Sequence, residues 1–558
     1  MHHHHAPNII HAMKKRTRTL SQARPLLLGM LLCLSLAGCL DEQPRSQIDR
    51  EKAYDSATSL YINTVATLYN YIGGAADSQG LQGTYRGVYD YNTFTTDEAI
   101  IPIRGGDWYD GGFWENLYLH RWTSADASLY DTWKYLYKVI VFCNEAIATI
   151  GAHRSLLTAA QQEAYTAEVR ALRALFYWHL MDLYGNIPLL TAADTSLGEV
   201  RQSPRADVFK FIINELQAVE NILPGEHSNL EGPWYGRMTR PVAHFLLAKL
   251  ALNAEVYADN DWTDGARPDG RQIRFTVDGN TLNAWQACVA YCDKLAADGY
   301  RLADGYADNF VVHNENSPEN IFIIPMDKML YANQFQYLFR SRHYAHGGAL
   351  GMAAENGACA TPSTVRAHGY RTAGEDSRYR LNFFSDTVKV SGRTVMLDNG
   401  QPLIYQPLAV EVNLTYSPYV KTAGARMAKY ESDHTAHADG KLQDNDIVLF
   451  RYADALLMKA EAKVRNGEDG TAELNAVRRR AGMPASSATL ENILQERLLE
   501  LCWEGWRRND LVRFDLFHRP YDLKPDASAE ADRHTTVFPI PDDAISLNGN
   551  LRQNPGYK

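Results

Sequence analysis

Apolar residues recur at helical spacing along most of this chain. Between Tyr54 and about Tyr71, Leu60, Val65, Leu68 and Ile72 share one face. The stretch 125–150 repeats the pattern through Leu129, Trp133, Leu136, Tyr137, Ile140 and Ile147. A third helix is predicted over 157–184, stopped by Gly185 and Pro188. Ser203-Pro204 opens a fourth, through Phe209, Ile213 and Leu216, ending before Pro224. Thr239-Arg240-Pro241 opens a fifth, with proline in the first turn, where its missing N–H costs nothing. The segments 284–297, 447–464, 471–481 and 490–503 continue the series. Several helix pairs lie roughly 35–45 residues apart, the interval of tetratricopeptide-like hairpins that bury a face against a neighbour. From about 334 to 446 the periodicity fails. Gly, Asn, Asp, Thr and Tyr dominate there, with short β-prone runs such as 387–390. So long an irregular segment rich in Tyr and Arg reads as functional.

The fold expected is therefore mainly α: a tetratricopeptide-like helical-hairpin scaffold with long irregular loops and a few short strands. Residues 1–38 are read as a leader, 39–330 as an N-terminal helical region including a loop at 91–122, 331–446 as an irregular insert, and 447–558 as a C-terminal helical region ending in a strap. In the leader, Lys14, Lys15, Arg16 and Arg18 precede the apolar run 26–36, a basic region before a short hydrophobic one, as in a secretory signal. Its end, Leu36-Ala37-Gly38-Cys39, resembles the bacterial lipobox, which makes Cys39 the lipidated residue. Leu40-Asp41-Glu42 then resembles a surface-export signal of Bacteroidetes lipoproteins. Residues 1–12, with His2 to His5, read as a tag or misplaced start and are set aside.

The 558 residues carry a formal charge of −10. Removing the leader, which holds five basic residues and no acid, leaves 51 basic against 66 acidic residues, or −15. That balance argues against a nucleic-acid binder, since phosphate neutralisation needs a basic face. Beyond Cys33 and Cys39, five scattered cysteines (143, 288, 292, 359 and 502) form no disulfide framework and read as core thiols. No P-loop, G-x-S-x-G, H-E-x-x-H or G-x-G-x-x-G motif occurs. No cofactor or metal is expected: His343 and His346 lack a third ligand, and Asp259, Asn260, Asp261 and Asp264 lack the spacing of a calcium loop.

Four blocks resemble the SusD/RagB family of Bacteroidetes glycan-uptake lipoproteins. They are EVRALRALFYWHLMDLYGNIPLL (168–190), GRMTRPVAHFLLAKLALNAEVY (236–257), IVLFRYADALLMKAEA (447–462) with its continuations LNAVRRRAGMP (474–484) and ILQERLLELCWEGWRRNDLVRF (493–514), and the tail FPIPDDAISLNGNLRQNPGY (538–557). Cys502-Trp503 stands where the family often has Ala-Phe. The resemblance implies the SusD-like fold and a non-enzymatic, outer-membrane, cell-surface role. In that role the protein captures oligosaccharide and delivers it to a SusC-like, TonB-dependent transporter, touching the membrane only through the lipid on Cys39. Within the blocks, Arg170, Arg173, Arg451, Asp454, Glu461, Glu496, Arg497, Glu500, Glu504, Arg507, Asp510 and Arg513 alternate charge at helical spacing, which reads as paired charges at helix junctions.

Binding chemistry is expected in the loops. The stretch 91–122 places Trp108, Tyr109, Phe113 and Trp114 among four glycines, with Asp97, Arg104, Asp107 and Asp110 nearby. Aromatic faces stack on sugar rings while carboxylates and guanidinium groups take the hydroxyls. The alternative for Trp108 and Trp114 is that they staple the loop to the core. A second wall is expected from Tyr331, Tyr337, Arg340, Arg342, His343, Tyr344, Arg366 and Tyr370. The candidate ligand-binding set is Asp97, Arg104, Asp107, Trp108, Tyr109, Trp114, Arg342, Tyr344 and Arg366. The other readings are a surface glycoside hydrolase or esterase using Asp97, Asp107 or Glu115, and a binder of peptide cargo.

Overall fold

The computed structural model describes residues 53–558 apart from Phe335, so the leader and Cys39 lie outside the described residues. Among the described residues, nine main helices build the scaffold. Helix α1 (Ala127–Ala152) turns Leu129, Trp133, Leu136, Val139 and Ile140 inward. Helix α2 (Ala159–Tyr184) starts at a capping box, in which Thr158 accepts from the Gln161 N–H and the Gln161 side chain returns the bond. It stops at Gly185, whose φ of +69° and closeness to Trp262 leave no room for a β-carbon. Helix α3 (Arg205–Val219), α4 (Arg240–Leu252, with Pro241 in its first turn) and α5 (Ala284–Ala297, capped by Asn283) follow. After them come α6 (Tyr452–Arg465), α7 (Thr471–Arg480), α8 (Leu490–Leu501) and α9 (Arg507–Arg513). Each of α1 to α5 packs against the next, α5 packs on α6, and α6 carries α7 and α8. The chain is thus mainly α, with only two-stranded sheets among the described residues.

Two sequence-based boundaries shift. The predicted helix at 447–464 begins only at Tyr452, because Ile447–Arg451 is a fully buried strand, β2, antiparallel to β1 (Asn320–Ile324). The four apolar residues Ile447–Phe450 carry no period of their own, and burial on both faces decided for the strand. The first predicted helix is Ala57–Tyr61 and Thr67–Tyr69, joined by a π-helical turn over Ile62–Ala66. In 331–446, short helices and two-residue strand pairs replace regular structure. One pair, Ala99–Ile100 with Cys359–Ala360, ties that region to the 91–122 loop. The five described cysteines are buried and unpaired.

The alternating charges resolve into buried ion pairs. Arg170 and Arg173 both hold Glu215, at 2.7 and 2.5 Å. Asp454 binds Lys249 at 2.6 Å and Arg497 at 2.7 Å, while Arg513 reaches Glu461 at 2.7 Å and Asp510 at 2.8 Å. Burial alone would raise these carboxyls. The flanking cations outweigh it and hold Asp454 and Glu461 down to about 2. Glu530, buried against His120 and Lys524, is likewise held to about 2. Because these folded values lie below the unfolded ones near 4, the stability they contribute is present above about pH 4 and is lost as pH falls through about 2. Two carboxyls move the other way, since burial lifts Glu98 to about 8 and Asp446 to about 7, so their destabilising cost is absent below about pH 4 and grows as pH rises toward those values. The melting midpoint followed by circular dichroism should therefore drop steeply on acidification from about pH 4 to about pH 2. A flat midpoint across that window would contradict the assignment.

Candidate functional site

The 91–122 stretch, predicted as a loop, contains the short helix Phe113–Tyr118 and is anchored at Ile103 before it reaches solvent. The Ile103 N–H donates to Val412 O at 3.0 Å, and Leu414 N–H donates back to Ile103 O at 2.8 Å. A tight turn follows, in which Arg104 N–H donates to Asp107 O at 2.9 Å. Gly105, with φ +73°, supplies the left-handed residue. Trp108 emerges from this turn half-buried, its indole N–H donating to Glu355 O at 2.8 Å. Trp114 lies beneath, 2% exposed, with ring centroids 5.8 Å apart in an edge arrangement. Its own N–H donates to Asp110 at 2.9 Å. Trp114 is thus both a staple to the core and the floor of what lies above.

That feature is an open cleft of about 630 Å³ lined by Asp77, Tyr85, Arg86, Asp107, Trp108, Asp110, Trp114, Tyr344 and Glu355. Arg86 spans the acidic side, binding Asp110 at 2.7 Å and Asp77 at 3.3 Å. Its guanidinium lies 5.7 Å from the Trp114 ring. Tyr85 donates its hydroxyl to Glu355. On the far wall, Tyr344, 46% exposed, donates to Asp107 at 3.0 Å, and Lys421 binds the same carboxylate oxygen at 2.5 Å. The Lys421 hydrogen bond holds the Asp107 carboxyl below its usual range. Burial, then Asp107, pushes the Tyr344 phenol up to about 12. Three lining residues other than glycine adopt left-handed backbone: Arg86 (φ 52°), Trp108 (62°) and Asp110 (42°). Each such residue costs of order 1 kcal/mol, and such strain gathers where geometry matters more than stability.

Of the nine sequence-predicted residues, Asp107, Trp108, Trp114 and Tyr344 converge on this cleft, and Tyr109, 56% exposed, sits at its edge. The other four do not. Arg104 is wholly buried and donates to the carbonyls of Gly357, Val420 and Ala423. Arg342, 1% exposed, donates to Ser432 Oγ and lies against Met352. Asp97 is held bidentately by Arg507 at 2.6 and 2.7 Å. Arg366 is exposed but pairs with Asp522 outside the cleft. An arginine in an irregular segment carries more donors than a short loop leaves free, and buried carbonyls claim them first. The Tyr331 wall also divides: Tyr331 lines a different cleft from Tyr344. The arginine missed by sequence reasoning is Arg86. Tyr85-Arg86 lies among Gly80, Gly83 and Gly87, the same glycine–aromatic signature used for 104–114. No three His, Cys, Asp or Glu side chains converge as metal ligands among the described residues.

Chemically, the cleft offers an indole and a phenol for stacking. Around them stand four carboxylates, Asp77, Asp107, Asp110 and Glu355, against the Arg86 guanidinium and Lys421 on Asp107, a net acidic set rich in hydrogen-bond acceptors that disfavours an anionic ligand. That suits a neutral, ring-shaped, polyhydroxylated ligand.

Comparison with known proteins agrees in length and fold. A model of the SusD family matches residues 373–557, and a second, described as starch-binding associating with outer membrane, matches 40–252. The starch-binding protein SusD of Bacteroides thetaiotaomicron is 24% identical, over 97% of this chain and all of that protein. A SusD superfamily protein from Bacteroides vulgatus superposes with a TM-score of 0.67 at 16% identity, covering 90% of this chain and 100% of that one. Surface glycan-binding protein A from B. thetaiotaomicron, in complex with laminarihexaose, gives 0.65 at 20% identity, covering 88% and 98%.

Proposed function

Since the chain belongs to the SusD family, we propose that it is a cell-surface glycan-binding lipoprotein. In this reading it captures an oligosaccharide and delivers it to a SusC-like, TonB-dependent outer-membrane transporter, with Cys39 carrying the lipid. The observation that carries the reading is the cleft in which Trp108, Tyr344, Arg86 and Asp107 converge from three separate chain segments. Relatives bearing starch-binding and glycan-binding names support the ligand class. The family description as outer-membrane associating supports the location.

Binding without covalent change fits the chemistry of the carboxylates. A glycosidase general acid needs a carboxyl raised toward neutral pH. Asp107 is shifted down by Lys421, so it accepts hydroxyl hydrogen bonds across the physiological range. Of the other two residues of the hydrolase reading, Asp97 is held by Arg507, and neither it nor Glu115 lines the cleft.

Native affinity electrophoresis through gels containing individual polysaccharides tests the proposal. At least one glucan or related glycan should retard the protein, and the retarding glycan should emerge uncleaved. Migration unchanged in every gel, with retention on immobilised peptides, would favour the peptide-cargo reading instead. Release of reducing sugar, abolished by Asp107→Asn, would make it a hydrolase.

A further inference from the structure

A second cleft lies across the 73–87 loop from the first, and it is as large, about 670 Å³ against about 630 Å³. Tyr61, Tyr69, Tyr235, Arg237, Tyr331 and Asn333 line it. Their polar ends are tied inward. Tyr69 donates to Glu168 at 2.5 Å, Tyr61 to the same carboxylate at 3.2 Å, and Arg237 holds it with two bonds of 3.0 and 2.8 Å. Tyr235 donates to Asp446 at 2.6 Å. Three rings are thereby fixed before any ligand arrives, which removes the ordering cost of stacking on them. Tyr331, 41% exposed, stands at the mouth on a turn closed by its own N–H to Asp327 O at 3.0 Å.

The two clefts are separated by almost nothing. Ala75 lines the second and Asp77 the first. Two residues apart, their α-carbons are at most about 7.6 Å from each other. The chain between them presents the small exposed side chains of Ala75 and Ala76. Its backbone is pinned by the Gln79 N–H to Ala76 O at 3.2 Å and by the Gln334 N–H to Gly74 O at 3.1 Å. A low, rigid ridge between two aromatic clefts is a saddle over which an extended chain can lie.

We propose that the clefts on either side of the 73–87 loop form one continuous track, so that this protein selects glycan chains long enough to cross the Ala75–Ala76 crest and engage both. The inference rests on the glycan reading above and adds chain length as a determinant of specificity. Short oligomers fill the Trp108 cleft alone. Longer ones add contacts at Tyr61 and Tyr331 with little further entropy cost, because the chain is already tethered next door.

The test is isothermal titration with laminari- and malto-oligosaccharide ladders from the disaccharide upward, together with their parent polysaccharides. Wild-type affinity should rise again once chains outgrow the first cleft. Tyr331→Ala should weaken the longest chains by about 5- to 10-fold, the worth of one aromatic contact, and leave the shortest binders unchanged. Ala76→Glu, which raises the crest at an exposed residue that lines neither cleft, should flatten the length dependence in the same way. Equal losses for short and long chains, or none for either variant while Trp108→Ala still weakens binding, would overturn the track and leave the primary site standing. If no member of either ladder binds, the parent reading fails and the track fails with it; if binding survives Trp108→Ala intact, the Trp108 cleft is not the site and the track falls while glycan binding stands.

Discussion

Arg451→Met is expected to be the most destabilising single change in the protein. The Arg451 guanidinium is 1% exposed and touches three carboxylates. It meets Glu504 at 2.7 Å, Glu500 at 2.5 Å and Glu319 at 2.8 Å, and it also donates to Glu500 O at 2.7 Å. Around this centre, Arg378 binds Glu496 at 2.8 Å and Glu500 at 2.7 Å, while Arg480 reaches Glu319 and Lys429 reaches Glu504. The network fastens β2, α8 and the turn that follows α8 at Glu504 to the turn at Glu319. Methionine keeps much of the apolar stem but leaves Glu319, Glu500 and Glu504 with one cation fewer in a dry interior. Breaking a buried pair from one side costs about 3–5 kcal/mol, far more than the net value of the pair. The urea midpoint should fall accordingly, with Arg451→Lys intermediate because an ammonium cannot reproduce the fork. Equal midpoints for wild type and Arg451→Met would show that the network contributes nothing to stability.

Trp108→Ala is expected to have the largest effect on binding. The indole stands between the Tyr85 ring at 6.4 Å and the Trp114 ring at 5.8 Å, and its N–H is fixed on Glu355 O. One face is therefore preset for stacking, as at a central interface anchor. Truncation should weaken glycan binding by roughly 10- to 100-fold, equivalent to about 1.4–2.8 kcal/mol, measured by titration or by gel retardation. The fold should survive, because Trp108 is half-buried and the loop remains pinned at Ile103 and Leu414. Trp108→Phe should retain part of the affinity. An unchanged Kd in Trp108→Ala, with an unchanged melt, would remove this cleft from the proposal.

The scaffold was legible because its signals are local. Helices α2 and α5 announce themselves through a 3.6-residue apolar period, a capping side chain and, for α2, a terminal glycine. The failure at 447–451 has an equally local cause. Four apolar residues fit either a buried helix turn or a buried strand, and only pairing with Asn320–Ile324 distinguishes them. The structural role of the alternating charges was also readable, since Glu496 and Glu500 lie one turn apart on a helix otherwise apolar toward the core. Which cation meets which carboxylate was not, because Arg378 arrives from more than a hundred residues away.

For the candidate site, the sequence by itself determined the kind of chemistry and one of the loops that carry it. Aromatic residues among glycines at 104–114 can only be held rigid by turns, and Trp108 and Asp107 followed from that. The Tyr and Trp excess of the composition was equally visible, but not its division between packing and exposure. Tertiary structure alone decided which arginine faces solvent. Arg104 and Arg342 were claimed by buried carbonyls and side-chain acceptors, while Arg86, across the loop, was left beside two carboxylates at the surface. It also decided that Tyr331 and Tyr344 stand in different clefts. The physical reason is range. Helix period, capping and turn chemistry act over a few residues and are written in order along the chain. A buried donor takes whichever acceptor the packed chain brings within about 3 Å, and that choice is fixed only when every segment is in place.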